Sequence, residues 1–399
     1  MASLAVPGHV QPSRVYDYDF VFDERLVADP YERMQSLHRE APALFYTPHY
    51  GGHWVVINKA MQQEIAFDHE RFSAANLMLP PADEVPLLIP ATLDPPHHTA
   101  YRLPLNRHFY PKAVAAHAKL IRDTALSLIS PLVGADRCDF LSDVAEPFPA
   151  IIFFQLLGVP LANLHEFRRL AQDFMGSSNA TVRMDAYAQI GVIVGVTVAE
   201  RMVEPKDDLI SVLVNTDFGG RRLTVDELTN YGVQLFLGAL DTVVNGLSFF
   251  VRFLARDQAL QAELRTDPGK IPAAVEELLR MHSIATPLRT ATRDMEFHGV
   301  SIRKGEQIML LVPAINYDPE AFEDPGSFRL DRPKRHVAFN VGVHRCIGAN
   351  LATLELRIFL EEWLRHIPGF HLDPEDLPSF GGGFGLNIRS LPLLLDAAA

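Results

Sequence analysis

Apolar residues recur at helical spacing along most of the chain and divide it into a series of predicted helices. Residues 29–40 form the first, because apolar positions line one side of a segment that starts at Asp29-Pro30. Residues 147–214 continue as several apolar helical stretches. The polar segment 173–183 within them predicts a mobile connection that lets substrate enter.

Short strands are predicted between some of these helices. Residues 53–58 are rich in β-branched and aromatic side chains, which predicts a strand, and residues 59–67 predict a helix after it. Further short strands are expected at 288–292, 295–302 and 307–312, with a turn at 303–305. We therefore expect a mainly α fold with small β-sheets.

The longest predicted helix starts after Leu223-Thr224 and ends near Ala255. Thr224 can cap it, and Glu227 three residues on can complete a capping box. Its apolar middle contains Gly238 and Asp241, which are both unfavourable in a buried helix. Such departures cluster at functional sites. The alternative is an exposed turn with Asp241 in water.

Composition limits the possible classes of function. The 399 residues are 48% hydrophobic and contain no linker, repeat or low-complexity tract, so we expect a single domain over residues 1–399. A net charge of −13 argues against nucleic acid as a partner. Polar residues interrupt the apolar run 235–254, which makes a membrane span improbable. The start of the chain also lacks the basic and apolar blocks of a secretion signal, so the protein is expected to be soluble and cytoplasmic, and its two cysteines fit a reducing compartment.

One cysteine, Cys346, lies in the stretch Phe339-Asn-Val-Gly342-Val-His344-Arg-Cys346-Ile-Gly348, just before a segment with helical apolar spacing. The helix N-terminus and Arg345 should lower the pKa of the thiol below its usual value of about 8.5. Gly342 and Gly348 should let the backbone turn tightly and leave a flat space for a planar cofactor. The alternative is a buried structural cysteine in a turn.

The spacing Phe-x-x-Gly-x-His-x-Cys-x-Gly resembles the haem-binding loop of the cytochrome P-450 family. The resemblance implies that family's fold, a triangular helical prism with haem b between the long central helix and the helix after the cysteine loop. It makes Cys346 the proximal thiolate ligand of the iron, which is typical of an oxygen-activating enzyme. Other residues that the resemblance places against the haem or its propionates are His98, Arg102, Arg289, Phe339, His344 and Gly348.

The sequence from Leu237 to Asn245 resembles the oxygen-binding helix of the bacterial camphor-hydroxylating branch of the family. Thr242 can donate a hydrogen bond to the carbonyl of Gly238 and bend the helix, which opens a groove for dioxygen and water. The resemblance implies that Thr242 orients the proton donor and that Asp241 relays protons from solvent. A haem-thiolate protein that binds ligands without turnover needs no such relay, and a non-haem helical binding protein would make the cysteine loop a coincidence.

The predicted pocket departs from that of a camphor hydroxylase. Such enzymes carry a tyrosine in the apolar flap, residues 77–90 here, that donates a hydrogen bond to the substrate ketone; the corresponding residue is Pro86. Loss of the donor argues against camphor. We expect a small terpenoid or norisoprenoid, such as an ionone-like ketone, with a camphor-type monoterpene as the alternative. The pocket is expected to contain Met78, Leu79, Leu87, Leu88, Leu237, Gly238 and Phe384, and Gln234 could contact a carbonyl.

Glu277 and Arg280, three residues apart on a predicted helix, resemble the structural Glu-Arg brace of the family. Many relatives supply a third member, an arginine, where this chain has Ser327. We expect Arg329 or Arg332 to take its place.

The resemblance also implies redox partners. Electrons would come singly from a 2Fe–2S ferredoxin, which a flavin reductase supplies from NADH. The proximal face around Arg102, Arg345 and Arg357 is expected to dock this acidic partner although the whole chain is acidic.

Overall fold

The computed structural model describes residues 5–80, 87–177, 179–383 and 385–396. Helices dominate it, and the predicted class, mainly α with small sheets, is confirmed. Its α-helices are α1 Glu24–Ala28, α2 Pro30–Glu40, α3 Lys59–Phe67, α4 His97–Asn106, α5 Pro111–Ala115, α6 Ala118–Ile129, α7 Pro147–Leu157, α8 Leu164–Gly176, α9 Ala180–Val203, α10 Leu209–Asn215, α11 Val225–Ala255, α12 Gln258–Thr266, α13 Ile271–Met281, α14 Val312–Ile315 and α15 Ala349–His366.

The strands are short. They are β1 Leu44–Thr47, β2 His53–Val56, β3 Phe72–Ser73, β4 Arg137–Asp139, β5 Leu288–Ala291, β6 Met295–Phe297, β7 Val300–Ile302, β8 Gln307–Leu310, β9 Phe370–Leu372, β10 Ser379–Gly381, β11 Asn387–Ser390 and β12 Pro392–Leu395. The largest sheet has the order β1-β2-β8-β5-β3, in which β2 and β8 run parallel and the other neighbours antiparallel. This sheet holds β5, which carries Arg289, in a fixed position.

Helix α11 is the long central helix that the sequence predicts. The capping box is present: the Glu227 backbone N–H donates to Thr224 Oγ1 at 3.2 Å, and the Thr224 N–H donates to Glu227 Oε2 at 2.7 Å. The helix packs against α7 and α9. With about 1.5 Å of rise per residue, it is roughly 46 Å long and crosses the protein.

Two helical segments, Thr181–Val203 and α11, are long and apolar enough to span a membrane by length and composition alone. In the most apolar window of α11, 72% of the residues are buried within the protein, against 33% for Thr181–Val203. A core helix passes the same test of length and composition. The burial of α11 accords with the expectation that residues 235–254 do not span a membrane.

The predicted mobile connection at 173–183 is wrong for most of that segment. Helix α8 continues to Gly176, and α9 begins at Ala180, where the side chain of Asn179 caps it by accepting a hydrogen bond from the Thr181 N–H at 2.9 Å. The polar residues of this segment therefore extend two helices, because one face of each helix can stay in water while the other packs.

The Glu-Arg brace is buried, and Arg332 is its third member. Arg280 donates to both carboxylate oxygens of Glu277, at 2.9 and 2.8 Å, and Arg332 Nε donates to Glu277 Oε1 at 2.8 Å. The side chain of Arg329 instead pairs with Asp331 and Glu323 at the surface. The sequence predicted Arg329 or Arg332 as the third member, and the structure identifies Arg332.

Candidate active site

The cysteine loop is folded by its own backbone. The Cys346 N–H donates to the carbonyl of Phe339 at 2.9 Å, and the Arg345 N–H donates to that of Gly342 at 3.1 Å. Gly342 has φ +72°, and a Cβ there would lie 2.3 Å from the carbonyl oxygen of Ala66. Gly342 is therefore required both for its left-handed backbone and for the close approach of α3.

Gly348 does not have the role that the sequence suggested. Its φ of −76° is open to any residue, so no tight turn depends on a glycine there. A Cβ at this position would lie 3.9 Å from Cys346 Sγ, an ordinary contact. What Gly348 does provide is a backbone N–H close to the sulfur, at the start of α15.

The predicted lowering of the Cys346 pKa is wrong for this structure. The residue retains accessible surface, yet its sulfur is closely surrounded, and burial raises the pKa of the thiol. The backbone N–H groups of Gly348 and Ala349 and the charges of Arg102 and Arg345 act in the predicted direction, but they are weaker than burial. Sequence reasoning identified these groups but could not weigh them against desolvation.

Basic side chains from three separate parts of the chain meet beside this loop. The rings of His98, on α4, and His344, in the cysteine loop, lie 4.3 Å apart between centroids. The charges of Arg102 and Arg289 both act on the two histidines. The four predicted haem-binding residues therefore form one cluster, although up to 246 positions separate them in the sequence.

Several nitrogens of this cluster are buried and have no hydrogen-bond partner among the described residues. They are both ring nitrogens of His98, Nε2 of His344 and Nη2 of Arg289. Burial, followed by neighbouring positive charges, lowers the pKa of His98 to about 4 and that of His344 to about 2; burial also lowers the pKa of Arg289 to about 10. A neutral imidazole offers one N–H donor and Arg289 offers a charged one; buried donors of this kind need an acceptor, and an anionic acceptor would also compensate the charge of Arg289.

Arg102 differs from His98, Arg289 and His344 because two of its guanidinium nitrogens already donate hydrogen bonds to protein side-chain and backbone oxygens. Nη2 donates to the carbonyl of Arg345 at 2.6 Å, and Nε donates to the side chain of Asn106 at 3.0 Å. Arg102 thus connects α4 to the cysteine loop. The side chain also lies close enough to Cys346 for the two charges to act on each other.

Asp94 and His69 belong to the surroundings of this cluster, and sequence reasoning missed both. The charge of Asp94 raises the pKa of His98 and of Arg289, while His69 lowers that of His98 and His344. Asp94 accepts hydrogen bonds from the Ala74 N–H at 2.9 Å and from the Ser73 hydroxyl. Asp94 precedes two prolines in the sequence, and that local pattern does not indicate these tertiary partners.

The middle of α11 has the predicted local geometry. The Thr242 hydroxyl donates to the carbonyl of Gly238 at 2.9 Å. Gly238 and Thr242 are solvent-accessible although their helix neighbours Leu237, Leu240 and Val243 are buried. An accessible groove therefore runs along this turn of the helix.

Asp241 is not an exposed carboxylate in water. Burial raises its pKa, and a hydrogen bond from the Asn245 side chain opposes this effect. Asn245 also accepts a hydrogen bond from the backbone N–H of Ile388 at 3.0 Å, and its Nδ2 donates to the Asp241 carbonyl at 2.8 Å. Asn245 thereby links the Asp241 turn to β11. In the sequence, Asn245 is only one of the polar residues that interrupt the apolar run 235–254, and nothing there indicates this link.

The predicted pocket residues have varied surroundings. Met78, Leu88 and Leu237 are buried, Leu79 and Gln234 are half-buried, and Leu87 is exposed. The Leu87 carbonyl accepts a hydrogen bond from the hydroxyl of Tyr187, on α9, at 3.3 Å. Phe384 and Pro86 lie outside the described residues.

The residues present fit haem b. The buried, unpartnered nitrogens of His98, Arg289 and His344 match what the two carboxylates of haem require. Cys346 offers sulfur, which binds haem iron, on a loop whose backbone is held by its own hydrogen bonds and by the close approach of Gly342 to α3. The donor set thus suits an anionic, iron-containing macrocycle. In the part of the chain that the structure describes, no group of three or more His, Cys, Asp or Glu side chains is arranged to hold a separate metal ion.

Comparison with known proteins agrees with this class. The family model described as Cytochrome P450 matches residues 270–381. The chain is 32% identical to "Probable cytochrome P450 127A1" of Sinorhizobium fredii, over 97% of this chain and 96% of that protein. It is 30% identical to "Cytochrome P450-terp" of a Pseudomonas species, over 93% and 94% of the two chains. The crystal structure of CYP101J2 superimposes with a TM-score of 0.91 at 32% identity, covering 98% of this chain and 100% of the other.

The fold and the site define a haem-binding oxygenase. The chain belongs to the cytochrome P450 family. It has the fold of that family, uses haem b and is a monooxygenase.

Proposed function

We propose that this cytochrome P450 hydroxylates a small apolar terpenoid or norisoprenoid, for which an ionone-like ketone is the model substrate. Cys346 would hold the haem iron through its sulfur, and His98, Arg289 and His344 would bind the haem carboxylates. The observation that carries this assignment is the set of buried, unpartnered nitrogens gathered beside the cysteine loop. Haem b, once bound through a cysteine sulfur, supplies the activation of dioxygen.

The cysteine loop and helix α4 would both hold the cofactor. Phe339 and Gly348 flank the ligand: the Phe339 carbonyl accepts the Cys346 N–H, and Gly348 places its own N–H near the sulfur. Arg102 joins α4 to the loop through Nη2 and bonds within α4 through Nε, which leaves Nη1 for a propionate. These contacts fix the position of the sulfur before the cofactor binds.

In this proposal, Thr242 and Asp241 take part in proton transfer. The Thr242 hydroxyl, bonded to the Gly238 carbonyl, can accept a hydrogen bond from a water in the groove and hold that water in place. Burial raises the pKa of Asp241, so its carboxyl group stays protonated to a higher pH than a free aspartate. A carboxyl group with a raised pKa is a better proton donor near neutral pH.

The substrate class rests on the apolar character of the pocket. Met78, Leu88 and Leu237 are buried aliphatic side chains, and the flap brings no tyrosine to donate a hydrogen bond. Among the relatives, one is named for a terpene and others are steroid C26-monooxygenases of mycobacteria, 33% identical over 82% of this chain. A small hydrocarbon-like molecule suits such a pocket better than a polar one.

Electron delivery is proposed to come from a 2Fe–2S ferredoxin reduced by an NADH-dependent flavin reductase. A groove of about 560 Å³ that includes Arg345 of the cysteine loop is lined by Lys334, Arg345 and Arg357, by one carboxylate, Glu276, which pairs with Lys334 at 3.2 Å, and by apolar residues such as Val114 and Phe339. Cationic and apolar groups together suit an acidic partner. Raising the ionic strength should slow reduction of the haem; a rate independent of salt would contradict this docking.

We also propose that the protein is a single cytoplasmic domain. One apolar cluster includes residues from Tyr18 to Leu395, so both ends of the chain contribute to one core. Both cysteines are free, as suits a reducing compartment that supplies NADH.

The test is a comparison of β-ionone with camphor on the purified holoenzyme. Substrate that displaces water from the haem shifts the Soret band, and reconstitution with a ferredoxin, its reductase and NADH gives products for analysis. We expect a shift and a hydroxylated product with β-ionone and a weak response to camphor. A tight camphor response would favour the camphor-type alternative, and no response to either would refute the substrate class.

A further inference from the structure

Gln234 is a half-buried polar residue in the N-terminal half of α11. The residues that follow it, Leu235, Phe236 and Leu237, are all buried. A half-buried amide loses part of its hydration and gains from a hydrogen-bond partner.

The described part of the chain provides no such partner. The amide of Gln234 forms no hydrogen bond to any described residue, unlike the neighbouring Asn230, whose side chain bonds to Tyr187 and to the Asp226 carbonyl. Its atoms are also not sealed in the core, since they are absent from the buried unpartnered groups. The amide is therefore accessible and free.

The amide faces the groove that Gly238 opens. A Cβ built on Gly238 would lie 3.7 Å from Gln234 Nε2, so the amide borders the space that the missing side chain leaves. Gly238 is also the residue whose carbonyl accepts the Thr242 hydroxyl. The free amide and the proton-handling threonine thus lie on the same side of α11, two turns apart.

We infer that Gln234 selects and orients oxygen-bearing substrates by donating a hydrogen bond from Nε2 to a carbonyl oxygen. This inference rests on the proposed function and adds a polar anchor that replaces the one lost from the flap at Pro86. A ketone satisfies the free amide, while a hydrocarbon of the same skeleton leaves it unpaired in an apolar pocket. The site therefore discriminates between the two.

The same geometry predicts where the substrate is oxidised. Gln234 and Thr242 are eight residues apart, which corresponds to about 12 Å of helix rise. A molecule whose carbonyl is held at Gln234 extends along the groove past Gly238 toward Thr242. Oxidation should therefore fall on carbons at the end of the molecule remote from the carbonyl.

The test compares Gln234→Met with the wild-type holoenzyme, because methionine keeps the length of the side chain and removes the amide. The probes are β-ionone and the hydrocarbon in which a CH2 group replaces its C=O. The wild type should bind the ketone about three- to tenfold more tightly than the hydrocarbon, as expected for one neutral hydrogen bond, and Gln234→Met should abolish that ratio. The Gln234→Met enzyme should also oxidise the ketone at positions nearer the carbonyl.

Gln189→Met, a change at an exposed position of α9, is the control. It should leave the affinity ratio and the positions of oxidation unchanged.

The two proposals fail in different ways. Equal affinity of the wild type for ketone and hydrocarbon, or a Gln234→Met enzyme that keeps the ketone preference and the wild-type products, would overturn the role of Gln234 while leaving the substrate class intact. A wild-type enzyme that responds to neither probe would overturn the substrate class and the Gln234 inference together.

Discussion

At the scale of single residues, the most informative contact is the hydrogen bond from the Thr242 hydroxyl to the Gly238 carbonyl. A threonine that bonds back to residue i−4 has its hydroxyl proton committed, so the oxygen can only accept a hydrogen bond from a further group. In the function that we propose, that group is a water that carries a proton. The contact followed from the sequence because it is local to one helical turn.

Replacing Thr242 with alanine should uncouple the enzyme. NADH consumption should stay close to that of the wild type, whereas product per NADH should fall about tenfold or more and hydrogen peroxide should rise in proportion, since positioned proton-transfer groups contribute at least this much. The measurement is product, NADH and peroxide in the same reaction.

Two variants control this experiment. Thr242→Ser keeps the hydroxyl and should restore most of the coupling. Thr266→Ala removes the same i−4 hydrogen bond at an exposed position of α12 and should change nothing. Full coupling in Thr242→Ala would contradict the proton role.

Cys346 shows where residue-scale reasoning fails. The charges and N–H groups near the thiol were predictable, because they come from adjacent positions and from α15. The burial that outweighs them is a property of the folded protein as a whole, and no local sequence pattern indicates it.

At the scale of secondary-structure elements, the sequence predicted those whose determinants are local. The capping box and the apolar length of α11, the Asp29 cap of α2 and the bounds of α3 all agree with the structure. The error at 173–183 came from interpreting polar residues as a loop, although they continue two helices. The third member of the brace needed tertiary structure, since Arg329 and Arg332 are equivalent by sequence distance alone.

The brace provides a prediction at this scale. Arg332→Ala should destabilise the protein by about 3 kcal/mol or more, because it removes one partner from a buried ionic group and leaves Glu277 less well compensated. Arg329→Ala, at a surface pair, should cost less than about 1 kcal/mol. The measurement is the free energy of unfolding in urea for both variants. Equal effects of the two would show that Arg332 is not the third member.

At the scale of the whole molecule, histidines are buried neutral at sites remote from the cofactor. His282 is enclosed by aromatic rings, among them Tyr31 at 4.6 Å and Phe253 at 5.1 Å between centroids, and burial lowers its pKa to about 3. Burial likewise lowers the pKa of His53 to about 4. In the unfolded chain both would bind a proton near pH 6.5.

This difference sets the direction of the pH dependence. Between about pH 6.5 and the low pKa values of the folded state, the unfolded chain binds protons that the folded protein does not. The contribution of each histidine is therefore fully present above pH 6.5 and is lost as the pH falls. We expect stability to decrease between pH 7 and pH 5.

Replacing His282 with phenylalanine should reduce this decrease by about 2 kcal/mol, the share of one histidine over this range. Urea unfolding of the wild type and the variant at both pH values measures it, and the constant cost of the substitution cancels in the difference. His371→Gln, at an exposed position, should keep the wild-type dependence. An unchanged slope in His282→Phe would contradict the account.

The most direct test of the central claim is the spectrum of the reduced, carbon monoxide-bound haem in the wild type and in Cys346→His. A thiolate ligand gives a Soret band at long wavelength, which a histidine ligand does not. We predict this band for the wild type and for Cys138→Ala, a change at the other, buried cysteine, and its loss in a Cys346→His protein that still binds haem. A Cys346→His protein that keeps the long-wavelength band would show that Cys346 is not the ligand.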